Sequence, residues 1–595
     1  MLKIETIRHS LAHILGLAIQ ELYPGVKFGI GPAIQDGFYY DFDFNQKSGL
    51  QTKNLGLENL PRIEKKMKEI IKQDIDFKKK EMSVKQAIEF FKKRKQYYKI
   101  ELIKDLAQKK GKIISIYESG KFTDLCAGPH IKSTIQLHSG DTKEIINSFR
   151  LTRIAGAYWK GDEKNKMLTR IYGIAFQTKK ELADYLKLQK EKEQRDHREI
   201  GKKLDLFHIS EEIGPGLVLW HPRGAILKKI IEDYILEKYL KNDYELVSTP
   251  HIAKIGLWET SGHTNFYKEN MFPLMHMQEL EKDEKDNYEI KPMNCPFHIS
   301  IYKQKIRSYK DLPIRYTELG TVYRYERSGV LHGLTRVRGF TQDDAHIWCA
   351  KEQLDKELIL AFKLCFEVLK TFGFKKYDIY LSTMPKKHVG TLKNWEKATN
   401  SLKYSLKKVG LKYEIDPGEG VFYGPKVDIK IKDSLGRAWQ CTTIQVDFNL
   451  PNNFEMTYIN KKGKKEQPIM IHRAILGSLE RFIGVLLENY GGALPFWLAP
   501  EQIWIIPISS KEKTYAKKIA KELFSFRAKV KDENETVSKK IREASIQKIP
   551  YALVIGKKEM KEKTIRIRQR EKGDIGEMKL SMFIKKINAD TKSKK

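Results

Sequence analysis

The feature that most restricts the fold is a change of pattern near residue 500. Between residues 313 and 500 the chain consists of short strand-like runs separated by glycines, with one helix-like stretch near 351–372. From residue 501 onward, the segments follow the order strand, helix, helix, strand, strand. We therefore expect a strand-rich domain followed by a small α/β domain over residues 501–595.

The preceding part of the chain predicts another domain of helices and strands, and a helical connection. Residues 1–178 combine a helix-like start and glycine-rich, strand-like runs with a lysine-rich, helix-like stretch at 61–110. The charged segment 179–203 has no glycine before Gly201 and predicts one long helix between domains. The strand-rich domain then occupies residues 204–500.

Composition and cysteine usage indicate a globular protein of a reducing compartment. The 595 residues are 41% hydrophobic and 31% charged, and no apolar run is long enough to span a bilayer. Charge interrupts the first eight positions, so we expect neither a secretory signal nor a membrane partner. The scattered cysteines are odd in number, which disfavours a disulfide framework and predicts a cytoplasmic location. They are Cys126, Cys295, Cys349, Cys365 and Cys441.

The formal net charge of +34 suggests a polyanionic partner such as nucleic acid. A general preference for lysine would give the same total, because lysines are equally abundant on segments that read as plain surface helices. Charge alone therefore leaves nucleic-acid binding open.

The segment TVYRYERSGVLHGLTRVRGFTQDDAH at 321–346 has the densest set of candidate binding residues. Arg324 and Glu326 flank an aromatic residue, so on one strand they would share a face, and Arg336 and Arg338 repeat that spacing. Forked guanidinium donors in a row suit phosphate, and a carboxylate can accept from an exocyclic amine. Such pairs also occur as cross-strand partners without function, but their density here favours binding.

Two sets of cysteine and histidine residues could each bind a metal. The first combines HSLAH at 9–13, whose histidines share one helix face, with TDLCAGPH at 123–130. Its residue types alone favour a metal. The second set is scattered along the chain, which is no objection because ligands need only meet in space. It consists of Cys295, His346 and His472.

The segment at 324–346 resembles motif 2 of the class II aminoacyl-tRNA synthetases, in the form found in threonyl-tRNA synthetases. The helix-like run at 226–242, followed by Pro250, is similar to motif 1, which builds a dimer interface in that class. The resemblance extends from residue 1 to about residue 590. Further matching segments are KPMNCPFH at 291–298, GVFYGPKVD at 420–428, WQCTTIQVDF at 439–448 and HRAILGSLERFIG, or motif 3, at 472–484.

The resemblance implies an α+β multidomain fold. Its parts would be an N-terminal α+β editing domain (1–178), a helical linker (179–203), a catalytic core on an antiparallel sheet (204–500) and a C-terminal α/β anticodon-binding domain (501–595). It implies a homodimer that activates threonine with ATP and transfers it to the 3′ end of threonine tRNA. Many bacterial members carry a small ubiquitin-like domain before the editing domain, and we expect this chain to lack it.

The family resemblance implies the following roles in ATP binding. Arg324 would bind the α-phosphate, where charge develops during attack by the amino-acid carboxylate. Glu326 would bind the adenine amine, and Phe340 would stack on the base. Arg481 would bind the far phosphates or cover the adenine, and Arg336 would also contact ATP. Displacement at phosphorus needs positioning and charge neutralisation, so Mg²⁺ is expected with ATP.

The same resemblance makes the second cysteine–histidine set a Zn²⁺ site with coordination open to substrate. Threonine offers an amine and a hydroxyl to such a metal, whereas valine lacks the hydroxyl and would be rejected by a factor of about 10⁴ or more. His263 is similar to a family histidine near the terminal ribose of the tRNA. The residues expected to bind threonine are Gln342, Asp344, Tyr423 and Gln445.

Serine differs from threonine by one methyl, for which binding discriminates only about 10- to 200-fold. The resemblance therefore implies a hydrolytic pocket that removes serine from threonine tRNA. It implies that this pocket is metal-free, uses a positioned water and proton transfer by histidine, and includes an aspartate that orients a histidine or the tRNA end. The residues are His9, His13, Asp124, Cys126 and His130.

In the C-terminal domain, Asn534, Glu559 and Arg568 match family positions that contact anticodon bases. The run KDENETVSKKIRE departs from the family pattern, because Glu533 precedes the asparagine where an arginine is usual. Two other functions remain to be separated from charging: an RNA-binding protein without catalysis and a hydrolase that only edits. Either would be expected to have lost the ATP-site or zinc-site residues, and none is lost here.

Overall fold

The computed structural model describes residues 2–44, 55–110, 113–139, 144–276 and 287–594. The chain divides into two compact units, Met1–Glu191 and Lys192–Lys595, which we call unit 1 and unit 2. Among the described residues, no helix is both long enough and apolar enough to cross a bilayer.

Unit 1 is built on two antiparallel sheets. In the five-stranded sheet the order is β1-β3-β8-β7, with β2 paired to β3, and the other sheet is β4-β5-β6. Phe38, Tyr40 and Phe42 lie on one face of β3 and are fully buried in the core that also buries α1. The helices are α1 (Ile4–Leu22), α2 (Leu60–Ile71), α3 (Val84–Lys93), α4 (Tyr97–Lys110) and α5 (Lys179–Gln194). The strands are β1 (Lys27–Phe28), β2 (Ala33–Ile34), β3 (Gly37–Asp43), β4 (Phe77–Ser83), β5 (Ile113–Ser119), β6 (Phe122–Leu125), β7 (Phe149–Tyr158) and β8 (Met167–Ala175).

The first part of unit 2 is an eight-stranded sheet in the order β11-β15-β16-β23-β20-β19-β17-β18, antiparallel except for the outer pairs β11–β15 and β17–β18. Its helices are α6 (His197–Lys203), α7 (Pro222–Leu240), α8 (Ile255–Ser261), α9 (His263–Phe266), α10 (Cys295–Tyr302), α11 (Leu354–Thr371), α12 (Leu392–Val409), α13 (Asn449–Asn453) and α14 (Leu479–Tyr490). The strands are β9 (Phe207–His208), β10 (Leu219–Trp220), β11 (Glu245–Leu246), β12 (Ile252–Lys254), β13 (Tyr288–Ile290), β14 (Arg307–Ser308), β15 (Ile314–Tyr323), β16 (Gly339–Cys349), β17 (Tyr377–Ser382), β18 (Glu414–Asp416), β19 (Lys426–Lys432), β20 (Ala438–Asp447), β21 (Tyr458–Ile459), β22 (Lys465–Glu466) and β23 (Ile469–Ser478).

The last part of unit 2 is built on a five-stranded sheet, β25-β24-β26-β27-β28. The five predicted elements occur in the predicted order, but the structure adds β25, α17, β28 and α18, which were not predicted. Strands β24 and β26 are apolar and buried along their whole length, whereas β27 alternates between buried isoleucines and more exposed polar side chains. The helices are α15 (Lys513–Glu522), α16 (Val537–Ile546), α17 (Lys557–Glu562) and α18 (Leu580–Lys592). The strands are β24 (Ile503–Pro507), β25 (Ala528–Val530), β26 (Tyr551–Ile555), β27 (Thr564–Gln569) and β28 (Gly573–Lys579).

The structure also differs from the sequence expectation in the earlier parts of the chain. The stretch 61–110 is not purely helical, because β4 lies within it and pairs with β5. The connection 179–203 is two helices rather than one, since the Asp196 side chain accepts from the backbone N–H of Arg198 and caps the start of α6. Between residues 313 and 500 the structure contains α12, α13 and α14 in addition to the helix predicted near 351–372.

Candidate active site

A cavity of about 320 Å³ opens over β16, β20 and β23 in unit 2. This volume is at the lower end of the range for small-molecule sites. Every residue predicted to bind ATP, threonine or metal lines the cavity. These residues are Cys295, Arg324, Glu326, Arg336, Phe340, Gln342, Asp344, His346, Tyr423, Gln445, His472 and Arg481.

Arg324 and Glu326 do not lie on a strand, contrary to the sequence expectation, because β15 ends at Tyr323. They begin the loop 324–338 that joins β15 to β16, and Arg336 is near its end. The guanidinium of Arg324 lies 5.0 Å from the ring centre of Phe340, close enough for a cation–π contact. The aromatic ring and the guanidinium therefore form adjoining walls of the cavity.

The arginine side chains converge on the cavity from two motifs. Arg481 donates through Nε to the carbonyl of Thr335 at 2.9 Å, which fixes its guanidinium beside the loop. Burial lowers the pKa of Arg481, and the nearby charges of Arg324 and Arg336 lower it further. Arg336 is paired with Glu326 at 3.0 Å. Such clustered cations in a partly buried site favour a polyanion such as the phosphates of a nucleotide.

The other end of the cavity holds the three residues that we call the Cys295 cluster: Cys295, His346 and His472. Strands β16 and β23 pair with His346 directly opposite His472, and Cys295 begins α10. All three residues are buried, and their ligand atoms lie within 4.8 Å of one another. A thiol and two imidazoles at this spacing are a donor set that fits zinc.

Hydrogen bonds orient both imidazoles of the Cys295 cluster. Nε2 of His472 lies 3.0 Å from Oδ2 of Asp447. Nδ1 of His346 lies 2.9 Å from Nδ1 of His298, whose Nε2 lies 3.2 Å from Oε2 of Glu318. Carboxylate-backed histidines of this kind are typical of metal ligands, because the second contact fixes the ring and its tautomer. His298 and Glu318 were not predicted, although His298 closes the quoted segment KPMNCPFH.

The predicted threonine-binding residues lie beside the Cys295 cluster. Asp344 accepts from Nδ2 of Asn294 at 3.1 Å, and burial raises its pKa. The hydroxyl of Tyr423 donates to Oε1 of Gln445 at 2.8 Å, which fixes the amide of the glutamine. Gln342 lines the same cavity. These groups could bind an amine, a carboxylate and a hydroxyl.

His263 is the predicted catalytic residue that does not line the cavity. It is fully buried, with Nδ1 2.7 Å from the hydroxyl of Ser261 and Nε2 3.0 Å from the sulfur of Met293. Burial lowers its pKa to about 4, so the ring is neutral near pH 7. Met293 lines the cavity, so His263 lies directly behind a residue of the cavity wall.

Unit 1 contains a separate site, the His9 cluster: His9, His13, Cys126 and His130. The sulfur of Cys126 lies 3.3 Å from Nε2 of His9 and 3.2 Å from Nε2 of His130. Burial raises the pKa of Cys126 to about 11, so it is a thiol near neutral pH, which disfavours a nucleophilic role. Burial also lowers the pKa of all three histidines, which leaves them neutral. Neutral imidazoles can accept a proton from water.

Beside the His9 cluster, Asp124 is contacted by two residues that the sequence did not single out, Lys99 and Tyr40. Asp124, predicted in this site, forms a buried ion pair with Lys99 and accepts from the hydroxyl of Tyr40 at 2.5 Å. Nε2 of His13 lies 3.6 Å from the same carboxylate. Lys99 lies in a lysine-rich stretch, where nothing in the sequence singles it out. The aspartate thus connects a buried ammonium to a histidine of the cluster.

The surroundings of the two clusters differ in charge. The carboxylates of Asp344 and Asp447 are close enough to Cys295 to raise the pKa of its thiol, after the larger effect of burial. Near the His9 cluster, the carboxylate of Asp124 is already neutralised by Lys99. The first environment favours a bound dication, and the second does not.

The predicted anticodon-binding residues have different surroundings. Asn534 is exposed in the turn before α16, and the side chain of Arg568 on β27 is 38% exposed. Glu559 is buried, and its carboxylate accepts from the backbone N–H of Gly556 at the start of α17. The structure thus gives Glu559 a helix-capping contact, which sequence reasoning did not foresee.

Comparison with known proteins covers both units. Three family models match: "tRNA synthetase class II core domain (G, H, P, S and T)" over residues 278–490, "Anticodon binding domain" over 502–590, and "Threonyl and Alanyl tRNA synthetase second additional domain" over 114–172. The solved RNA binding domain of threonyl-tRNA synthetase from Cryptosporidium parvum Iowa II is 42% identical, with a TM-score of 0.63. It covers 66% of this chain, which in turn covers 98% of it.

Two similar relatives carry the name threonine–tRNA ligase. The protein of Sulfurihydrogenibium sp. (strain YO3AOP1) is 51% identical over 98% of this chain and 88% of its own length. The protein of Aquifex aeolicus (strain VF5) is 49% identical over 99% of this chain and 90% of its own length. The chain therefore belongs to the threonine–tRNA ligases, class II aminoacyl-tRNA synthetases that join threonine to tRNA, and it carries the family's additional domain, which supports editing of mischarged tRNA.

Proposed function

We propose that the unit 2 cavity is where threonine reacts with ATP and is then transferred to the tRNA. The observation that carries this proposal is the convergence of clustered arginines and the Cys295 cluster on one cavity. Arg324 binds the α-phosphate, Arg481 and Arg336 bind the outer phosphates, and Phe340 stacks on the adenine. The carboxylate of Glu326 binds the adenine amine. Positioning and charge neutralisation then accelerate in-line displacement, with Mg²⁺ accompanying the ATP.

Zn²⁺ is proposed as the resident metal of the Cys295 cluster, because the donor set and the carboxylate-backed histidines fit it. When bound, it supplies a Lewis acid for the amine and hydroxyl of threonine. Asp344 accepts from that hydroxyl, and Tyr423, Gln342 and Gln445 orient the amine and the carboxylate. A pocket built for a hydroxyl excludes valine, since valine leaves these polar groups unpaired.

The His9 cluster is proposed as the metal-free pocket that hydrolyses serine from threonine tRNA. Neutral His9, His13 and His130 position a water and accept its proton, while Asp124 holds His13. The charge-neutral pair of Asp124 with Lys99 gives no excess negative charge to a metal ion.

Exposed residues of unit 2 support proposals for the partners, and the cysteines support one for the location. We infer a homodimer, since exposed apolar side chains cluster in sequence around α7 and the two strands that follow it, the motif 1 segment. Exposed Asn534 and Arg568 are proposed to contact anticodon bases. All five cysteines are free thiols, which supports a cytoplasmic location. The exposed apolar residues of the motif 1 segment, on which the homodimer proposal rests, are Ile226, Leu240, Leu246 and Ile252.

Threonine-dependent exchange of pyrophosphate into ATP tests the proposed site. The Arg324→Ala variant removes a cation at the developing charge, so exchange should fall by about 10² to 10³. Arg327→Ala is the matched control, because Arg327 lies in the same loop, is exposed and does not line the cavity. Equal activity of the two variants would refute the assignment of the α-phosphate site. Absence of exchange in the unaltered protein would instead favour an RNA-binding protein or a hydrolase.

A further inference from the structure

A histidine of the connecting segment reaches the loop that carries the ATP-site arginines. His197 begins α6 and is fully buried. Its Nδ1 lies 2.7 Å from Oε1 of Glu488 on α14, and its Nε2 accepts a 2.9 Å hydrogen bond from the backbone N–H of Leu334. Leu334 lies within the loop 324–338, so one imidazole joins that loop to α14.

The two contacts fix the tautomer of His197. A backbone N–H can only donate, so Nε2 is unprotonated and Nδ1 carries the proton that is donated to Glu488. The carboxylate of Glu488 also accepts from Nη2 of Arg437 at 2.6 Å, and Arg437 donates to Asp433 at 2.6 Å. The acceptor that faces the loop is therefore held by a chain of charge-assisted hydrogen bonds.

The loop residues beside Leu334 hold the ATP-site arginines. The carbonyl of Thr335 accepts from Nε of Arg481, and Arg336 pairs with Glu326. Gly333 has a φ of +46°, and a Cβ at this position would lie 2.1 Å from Nε2 of His197. The loop thus approaches the imidazole as closely as glycine allows.

We propose that His197 is a positioning residue for ATP: it holds residues 333–336 so that Arg336 and Arg481 face the nucleotide. This inference rests on the proposed function of the cavity. His197 touches neither substrate nor the cavity and acts through the loop backbone. Such alignment should affect ATP binding, whereas the threonine end of the cavity, built on the strands, should be unaffected.

Asp196, His197 and Glu488 could be considered as a metal site, because their ligand atoms lie within 4.8 Å of one another. Both ring nitrogens of His197 are nevertheless engaged, one by Glu488 and one by the Leu334 N–H. Glu488 is further neutralised by Arg437. The geometry therefore favours a hydrogen-bond relay over a metal site.

A pair of variants tests the proposal. His197→Gln can place its amide oxygen where Nε2 accepts from Leu334, whereas the shorter His197→Asn can only replace the Nδ1 contact to Glu488. In the pyrophosphate exchange assay, the KM for ATP should rise about tenfold in His197→Asn and stay within about threefold in His197→Gln. The KM for threonine and the zinc content should not change in either variant. The exposed His208→Asn is the control.

The outcomes are distinguishable. An unchanged KM for ATP in His197→Asn would overturn the positioning role, as would equal rises in the KM for ATP and for threonine. A rise of the KM for ATP in both variants would show that the contact to Leu334 does not position the loop, and would also overturn the role proposed for His197. If the unaltered protein shows no threonine-dependent exchange, the proposed function of the cavity fails first.

Discussion

The ion pair of Lys99 with Asp124 is the feature of unit 1 whose removal should have the largest effect. The two side chains are only 2% and 4% exposed. Lys99→Met removes the ammonium and leaves the carboxylate of Asp124 buried, with the hydroxyl of Tyr40 as a remaining hydrogen-bond donor. We expect unit 1 to lose about 3–5 kcal/mol of stability, the cost of leaving one charge of a buried pair uncompensated.

The double variant should recover most of that loss. In Lys99→Met/Asp124→Asn neither side chain is charged, and the asparagine amide oxygen can still accept from Tyr40. The coupling energy between the two positions should therefore be at least about 3 kcal/mol. The exposed pair of Lys79 with Glu81 is the matched control, because its atoms are 2.7 Å apart but its side chains are 46% and 55% exposed. Its coupling should be far smaller than that of the buried pair, because solvent screens exposed charges.

Hydrogen exchange of the slowest amides of α1 in the full chain reports the free energy of opening of unit 1 separately from unit 2. Each pair is measured in a double-mutant cycle that combines Lys→Met with carboxylate→amide, and the coupling energy of the buried pair should clearly exceed that of the exposed pair. If Lys99→Met costs less than about 1 kcal/mol, or no more than Lys79→Met, the stabilising role of the buried pair is refuted.

Two further predictions concern the clusters. Replacing His298 by alanine removes the contact that orients His346, so zinc affinity measured by chelator competition should fall about 10- to 100-fold. The exposed His251→Ala should have no such effect. An equal loss of zinc affinity in both variants would show that His298 does not support zinc binding by orienting His346. Burial holds the pKa of His9, His13 and His130 below 6.5, so the unfolded state binds more protons as the pH falls past that value. The stability that the neutral rings provide is therefore complete well above pH 6.5 and is lost on acidification, with a slope approaching about 1.4 kcal/mol per pH unit for each histidine. Opening free energies of α1 that do not change between pH 7.5 and 5.5 would show that these rings are not buried as described.

The sequence was sufficient to select the residues of the Cys295 cluster but not the contacts that support them. His346 and His472 belong to quoted segments, and the register of β16 on β23 brings them together. Lys99 could not be singled out, because its role depends on burial against Asp124 and not on any local pattern. Glu559 matched an expected base contact, yet the start of α17 uses its carboxylate as a cap.

Backbone details were also beyond the pattern. Arg324 and Glu326 were expected on a strand, but pairing between β15 and β16 ends before them and the loop 324–338 begins. The long charged helix breaks where Asp196 caps α6, because burial of His197 against Glu488 outweighs helix propensity there. Neither the end of the strand pairing nor the helix break is marked by a local sequence pattern.

Metal content distinguishes a zinc site at the Cys295 cluster from a metal-free His9 cluster. The zinc in the purified protein is measured by mass spectrometry for the unaltered chain, Cys295→Ser and Cys126→Ser. We expect one zinc per chain in the unaltered protein and in Cys126→Ser, and none in Cys295→Ser. Two zinc ions per chain, or loss of zinc from Cys126→Ser with retention in Cys295→Ser, would contradict this assignment of the two clusters.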